Sequence, residues 1–429
     1  MSTASFAAKR VSRAVPSLLR ENRIFRSYWG AHTVSLFGDQ VSLLALPLVA
    51  VLALDAGAAQ MGYLTAIALA PNLLLALHAG AWVDRRGHRR RTMIATDVGR
   101  AAVILTVPLA YFLDALTLEQ LYAVAFVAGA LTVLFGVADA SLFQTIVPRE
   151  RFVEASSLLN GSRAFSFVAG PTVAGFLTQA LTAPGALIAD AVSFLTSGAL
   201  LRRIHPAEPA PDRDEGGVTV GLRWIVASPI VRSTLLAAAT LNFFNFIFWA
   251  LFVLYATRTL GLSPGTLGLV LGAGAVGGLL GSVLAGPVTR RIGVGPTFVV
   301  GFVVFPLSFL LVPLARGSDL TILTCLFLAE FGSGIGVMLI DISAGAMYAA
   351  LIPPRLRSRV SGAHTFVNYG VRVLGSLAGG LLGSAIGLRS ALWIGTAGAL
   401  LGLLFLLPSP VMRMRELPEQ PEDGRTLEP

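Results

Sequence analysis

Between Met61 and Val83 the chain runs without a single Asp, Glu, Lys or Arg, and Ala101 to Leu113 is equally free of charge. A helix needs about 20 mostly apolar residues to cross a bilayer, and in hydrocarbon only helices or closed barrels satisfy every backbone N–H and C=O. Wedged between these runs is Gly80-Ala-Trp-Val-Asp84-Arg85-Arg86-Gly87-His88-Arg89-Arg90-Arg91. This segment reads as a short loop joining two spanning helices. Its five arginines hold it on the cytoplasmic side, because short loops rich in Lys and Arg are not translocated. Gly80 and Gly87 suit a tight reversal, while Asp84 can cap a helix N-terminus or pair with an arginine.

The same reasoning places spans near residues 29–54, 61–82, 93–113, 119–143, 156–180 and 184–202, then near 233–257, 264–287, 297–315, 320–348, 360–385 and 388–408. Twelve spans with both termini inside put 26 of the 32 Lys and Arg in cytoplasmic segments, three outside (Arg258, Arg316, Arg389) and three within spans. An odd number would scatter the basic loops over both sides. The chain is 13% charged, against about 25% for a soluble domain. The expectation is an all-α, multi-pass protein of the cytoplasmic membrane. Its net charge of +9 is spread through loops between apolar runs, a topogenic pattern that excludes a nucleic-acid face.

The expected organisation is a basic tail (1–28), a six-helix bundle (29–203), a cytoplasmic linker (204–232), a second six-helix bundle (233–408) and a polar tail (409–429). The tail at the start has no apolar run, so the first span must act as an uncleaved targeting signal. Within the linker, Val218 to Arg232 alternates apolar and polar residues around Trp224, which predicts a short interfacial helix. Residues beyond Arg413 are expected to be disordered. An internal repeat supports the two halves. A shift of 206 positions puts Gly80, Arg85 and Gly87 onto Gly286, Arg291 and Gly293, Pro148, Arg149 and Arg151 onto Pro354, Arg355 and Arg357, and Asp39 onto Asn245. Halves of six spans share their orientation, so an axis along the membrane normal should relate them. Asp84 falls on Arg290, so only the first half carries the full acidic and basic turn.

Gly80-x3-Asp84-Arg85-x-Gly87-x-Arg89-Arg90 resembles the signature that the major facilitator superfamily carries between its second and third helices. Gly38-Asp39-Gln40 through Ala45-Leu46-Pro47-Leu48, Thr96-Asp97 with Arg100, and Asn160-Gly161 ahead of Gly170-Pro171 are similar to the bacterial branch containing siderophore exporters and macrolide-efflux proteins. Ser166-x3-Gly170-Pro171-x2-Ala174-Gly175 resembles the fifth-helix antiporter motif, with Ser166 and Ala174 in place of two of its glycines. The resemblance implies two pseudosymmetric six-helix bundles rocking about a central cavity. It also implies a conformational latch of Gly80, Asp84, Arg85, Gly87, Arg89 and Arg90 with Asp139 and an arginine opening the eleventh helix, Arg357 or Arg359.

Ionisable groups inside spans are costly and therefore candidates for function. Asp39 lies about 16 Å into the first predicted span. His32, Ser35, Asp39 and Ser42 share one helical face. Asp39 is the leading proton-coupling candidate, with Glu330 and Asp341 on the tenth span behind it. Ser35, Asn242, Asn245, Trp249 and Met338 are candidates for the cavity wall, alongside Trp29, Phe37, Phe243, Phe244, Phe246 and Phe248. Arg163 and Arg372 are candidates for buried ion pairs, Arg163 with Asp139 or Asp190. Each of these has a plainer role in gluing helices together.

Several classes drop out. Lys9 is the only lysine, so no phosphate-binding loop of the Gly-x4-Gly-Lys type exists. Five scattered histidines and the lone Cys325 supply no metal cluster and no disulfide, and no cofactor or metal is expected. The expectation is a secondary active transporter: a monomeric proton-coupled antiporter exporting an amphipathic or hydrophobic small molecule. Uptake or lysophospholipid flipping by the same fold is the runner-up, and a receptor that binds without transporting is the alternative of another class.

Overall fold

The computed structural model describes residues 16–75, 83, 87–205, 218–353 and 356–417, and among them every regular element is helical. Twelve helices are long and apolar enough to cross a membrane: α1 (Arg23–Leu52), α2 (Ala58–Leu75), α3 (Arg89–Phe112), α4 (Leu118–Ile146), α5 (Arg149–Leu181), α6 (Ala183–Arg202), α7 (Pro229–Thr259), α8 (Pro264–Ile292), α9 (Val294–Leu314), α10 (Asp319–Leu351), α11 (Arg359–Ile386) and α12 (Leu388–Leu406). Local chemistry sets several starts. Thr117, Ser263 and Ser318 accept hydrogen bonds from the amides of Gln120, Thr266 and Thr321, capping α4, α8 and α10. Pro184, Pro229 and Pro264 occupy first turns, where a missing N–H costs nothing.

Within the first half α1 packs on α5 and α6, and α3 on α4 and α6; in the second, α10 packs on α8 and α9, and α11 and α12 on α7. The backbone carries the internal repeat independently of side-chain identity. Among the described residues the positive-φ positions form four pairs, Asp55 with Gly261, Gly87 with Gly293, Asp114 with Gly317 and Thr182 with Gly387, at offsets of 206, 206, 203 and 205.

The halves meet chiefly where α2 crosses α11 and α5 crosses α8. At both crossings backbone lies on backbone. A methyl group placed on Gly62 would sit 2.6 Å from the Gly380 Cα, and one on Gly268 would sit 2.9 Å from the Gly175 Cα. Gly62 and Gly268 are related by the same shift of 206, so the two crossings are copies of one joint. An ion pair between Arg258 and Asp55 spans the halves at this end too, with Asp55 95% exposed. At the opposite end, which carries the basic loops, Gly136, Gly161, Gly345 and Gly362 on α4, α5, α10 and α11 face open space, with no heavy atom within 4 Å of an added methyl. The molecule is sealed at one end and open at the basic end.

Three expectations change at the edges. The first helix starts at Arg23 rather than near residue 29, and a short helix Ser17–Glu21 precedes it. Leu18, Phe25 and Tyr28 are buried, and Glu154 accepts from the Ser17 hydroxyl and the Leu18 amide at 3.0 Å each, so part of the expected tail is bundle. The predicted linker helix is present over Val218–Ala227, but Ile225 is buried against Val360 and Ala363 of α11, not merely resting on a surface. The segment after α12 stays ordered through residue 417, with Val294 and Gly295 donating to the carbonyls of Arg415 and Met414.

Enlarging Gly62 or Gly268 to Val should prevent the sealed end from closing. Overpacking costs about 1–3 kcal/mol, so the equilibrium constant for sealing should fall by a factor of roughly 5 to 160. Distances between spin labels on the α1–α2 and α7–α8 loops should lengthen accordingly.

Candidate coupling and substrate site

Asp39 sits at the middle of the 30-residue α1, about 24 Å from its first residue. The helix packs against α5 and α6, leaving Asp39 38% and Leu43, one turn on, 69% exposed. The Asp39 carboxylate accepts from Arg100 Nη1 at 3.1 Å. Arg100 itself is 1% exposed. Its Nη2 donates to Ser35 Oγ at 3.2 Å and to Asp97 Oδ1, one turn back on α3. The rings of Phe135 on α4 and Phe194 on α6 cover the guanidinium, with centroids 4.6 and 4.0 Å from Cζ. A cation flanked by aromatic faces and two carboxylates is compensated without water.

Asp190 of α6 completes the cluster. It is fully buried, lies against Gly38, and accepts from Ser42 and from Ser193 at 3.3 Å. Three carboxylates therefore surround one arginine. Asp97 is fully buried, with Ser197 of α6 the hydroxyl beside it.

Several sequence candidates have other roles. Arg163 is exposed and joins neither Asp139 nor Asp190, because Asp139 accepts from Tyr28 Oη at 2.8 Å and lies 3.3 Å from His32 Nδ1. Arg372 forms no ion pair with a described residue; its Nε donates to Asn242 Oδ1 at 2.8 Å, and Asn242 passes the chain to Asn368 and His364. Ser35 is 2% exposed and serves Arg100, not the cavity. Trp249 stacks edge-on with Phe248, Phe252 and Phe309, and Phe248 is 1% exposed, so both belong to an aromatic core between α7 and α9. Met338 fills the gap beside Gly278 and Gly281 of α8.

Asn245 is half-buried and Asp341 is exposed, and among the described residues Asn245 makes no side-chain hydrogen bond and Asp341 no ion pair. Glu330 is 4% exposed, wedged against Gly274 of α8, with Oε1 unpartnered. Such a carboxyl is stable there only in its neutral form or with a mobile partner.

Of the latch candidates, Gly80, Asp84 and Arg85 lie outside the described residues. Gly87 takes φ 61 at the turn into α3, and Arg89 is buried there. Arg90 Nη1 donates to the carbonyls of Leu201, Arg202 and Ile204, closing the end of α6. Arg357 donates to the carbonyls of Ala349 and Ile352, closing α10. Arg359 forms no ion pair with a described residue. Asp139 and Arg357 thus each have partners within their own half, as the open basic end requires. Gly170, Pro171 and Gly175 lie along α5 near the sealed joint, where the Pro171 carbonyl abuts Gly268 and Gly170 abuts Gln40.

Arg100 is a candidate functional residue whose cross-helix partner spacing alone does not show. Its signal is Asp97-x2-Arg100, an acid and a base one turn apart inside a span. Replacing Arg100 with Met strands a sealed carboxylate, at a cost of about 3–5 kcal/mol. Unfolding in mixed micelles should register a loss of that order for Arg100→Met, and a clearly smaller one for Asp39→Asn.

Residues 17–426 match the model of the transmembrane secretion effector family. The chain is 26% identical to the uncharacterized MFS-type transporter YkuC of Bacillus subtilis, over 80% of this chain and 81% of that protein. It is 24% identical to the multidrug efflux pump Tap of Mycolicibacterium fortuitum, over 89% and 93%. In shape it is similar to a bacterial homologue of the iron transporter ferroportin in an inward-facing state, with a TM-score of 0.71 at 19% identity over 92% of this chain and 99% of that one. A bacterial homologue of the human lysosomal transporter Spinster, also inward-facing, gives 0.71 at 14% identity over 93% and 98%. The chain belongs to the transmembrane secretion effector family of major facilitator superfamily transporters.

Proposed function

We propose that the chain is a proton-coupled exporter of the cytoplasmic membrane, with both termini inside, moving an amphipathic or largely hydrophobic small molecule by alternating access. The observation that carries this reading is the division of Arg100 between a sealed carboxylate, Asp97, and a partly exposed one, Asp39. When Asp39 takes a proton, or a cationic group of the cargo, it lets go of Arg100, whose charge Asp97 still balances. Proton and cargo then compete for one carboxylate, and each can shift a two-state machine only by binding its two states unequally. The acid excess around Arg100 favours a cargo with a positive group. Glu330 and Asp341 stand as secondary proton sites in the second half.

The alternate state closes the basic end. There the turn from Gly80 through Arg90, with Asp84 against a helix N-terminus, would engage Asp139 and Arg357 or Arg359. Relatives named as multidrug efflux pumps support export and a cargo of more than one kind.

Inside-out vesicles under an imposed pH gradient give the test, with accumulation of candidate cargoes and proton release read together. Asp39→Asn should lower proton-driven accumulation at least tenfold while cargo–cargo counterflow persists. Undiminished proton-driven uptake by that variant would remove Asp39 from the mechanism, and saturable binding without any counterflow in the unmodified protein would make it a receptor.

A further inference from the structure

On the outer flank of the first half, α3 and α6 part at the basic end to leave a groove of about 680 Å³. Its rim carries Arg91, Arg202 and His205, all exposed, and its floor is Ala95, Val98, Gly99 and Ala102. Arg91, Ala95, Val98 and Ala102 follow one another at helical spacing along α3. Arg90 ties the two helices together through the α6 carbonyls, which fixes the rim cations on either side of the opening.

The geometry points to a binding site for one anionic phospholipid, its phosphate headgroup held by Arg91 and Arg202 and an acyl chain laid on the small-residue floor. The span from Arg91 to Ala102 is about 16 Å at 1.5 Å per residue, half of a hydrocarbon core about 30 Å thick. The groove is therefore one leaflet deep, with its charge at the water boundary and its apolar floor below. A free phosphate would use the rim and leave the floor uncovered. A zwitterionic headgroup would bring its own cation against the rim, whereas none of the residues lining the groove is acidic. Basic pockets between spanning helices at a membrane surface recognise anionic headgroups on these grounds.

Native mass spectrometry of the full chain, released from nanodiscs of equal phosphatidylglycerol and phosphatidylcholine, tests this. The unmodified protein should retain a single phosphatidylglycerol in at least about tenfold preference. The double variant Arg91→Gln/Arg202→Gln should lose the preference, and so should Val98→Trp, which fills the floor and leaves every charge in place. Arg223→Gln/Arg232→Gln, which removes two exposed cations elsewhere at the same end, should keep it. The proposal is overturned if the unmodified protein shows no preference, if Val98→Trp keeps it, if the Arg223/Arg232 control loses it equally, or if millimolar inorganic phosphate displaces the lipid completely. It is also overturned if preference appears only after Glu208, Asp212, Asp214 and Glu215 are neutralised, since the occupant would then be the chain's own acidic connector.

Discussion

A guanidinium is costly to keep from water in the middle of a bilayer, and around Arg100 four helices cover both of its faces and pair both of its terminal nitrogens. Asp97 comes from its own helix α3, Asp39 and Ser35 from α1, Phe135 from α4 and Phe194 from α6. This is what makes the first half a unit, because moving any one of those helices would uncover charge in hydrocarbon. Among the three carboxylates, Asp39 is the one partly exposed.

Between the halves the physics is different. Small residues let backbones touch at Gly62 with Gly380 and at Gly175 with Gly268, and such contacts are made of many weak attractions. At the α5–α8 crossing a few hydrogen bonds join them: Gln179 Oε1 accepts from the Ser263 hydroxyl and the Gly265 amide, and Thr172 donates to the Gly268 carbonyl. The exposed pair of Asp55 and Arg258 adds at most about 1 kcal/mol. The first half is built around buried charge, and among the described residues the seams between the halves carry none.

How much of this the chain discloses before folding depends on the kind of force involved. Span number, the two halves and the linker helix were legible, because charge-free length and basic loops are read directly from sequence. Asp39 stood out as a carboxylate in an apolar run. Ser35, Trp249 and Met338 were placed on the wrong surface for a physical reason. In a bilayer both the lipid side and the core side of a helix are apolar, so periodicity does not say which face meets the cavity. Arg100 escaped because its decisive partner is 61 residues away, on a helix that lies beside α3 only once the bundle has formed. Arg163 and Arg372 looked like the same problem and are not. One is exposed and the other is satisfied by an amide.

The paired left-handed turns have a consequence for how the two halves have diverged. At three of the four pairs the second half holds glycine where the first holds Asp55, Asp114 or Thr182, and a side chain in that conformation costs roughly 1 kcal/mol. At Asp55 the strained residue is also the acid that reaches Arg258 in the other half. The outer rim thus stores a little tension in the same residue that fastens it, so a change to glycine would relax the turn and unfasten the rim in one step, separating durability of the fold from ease of opening.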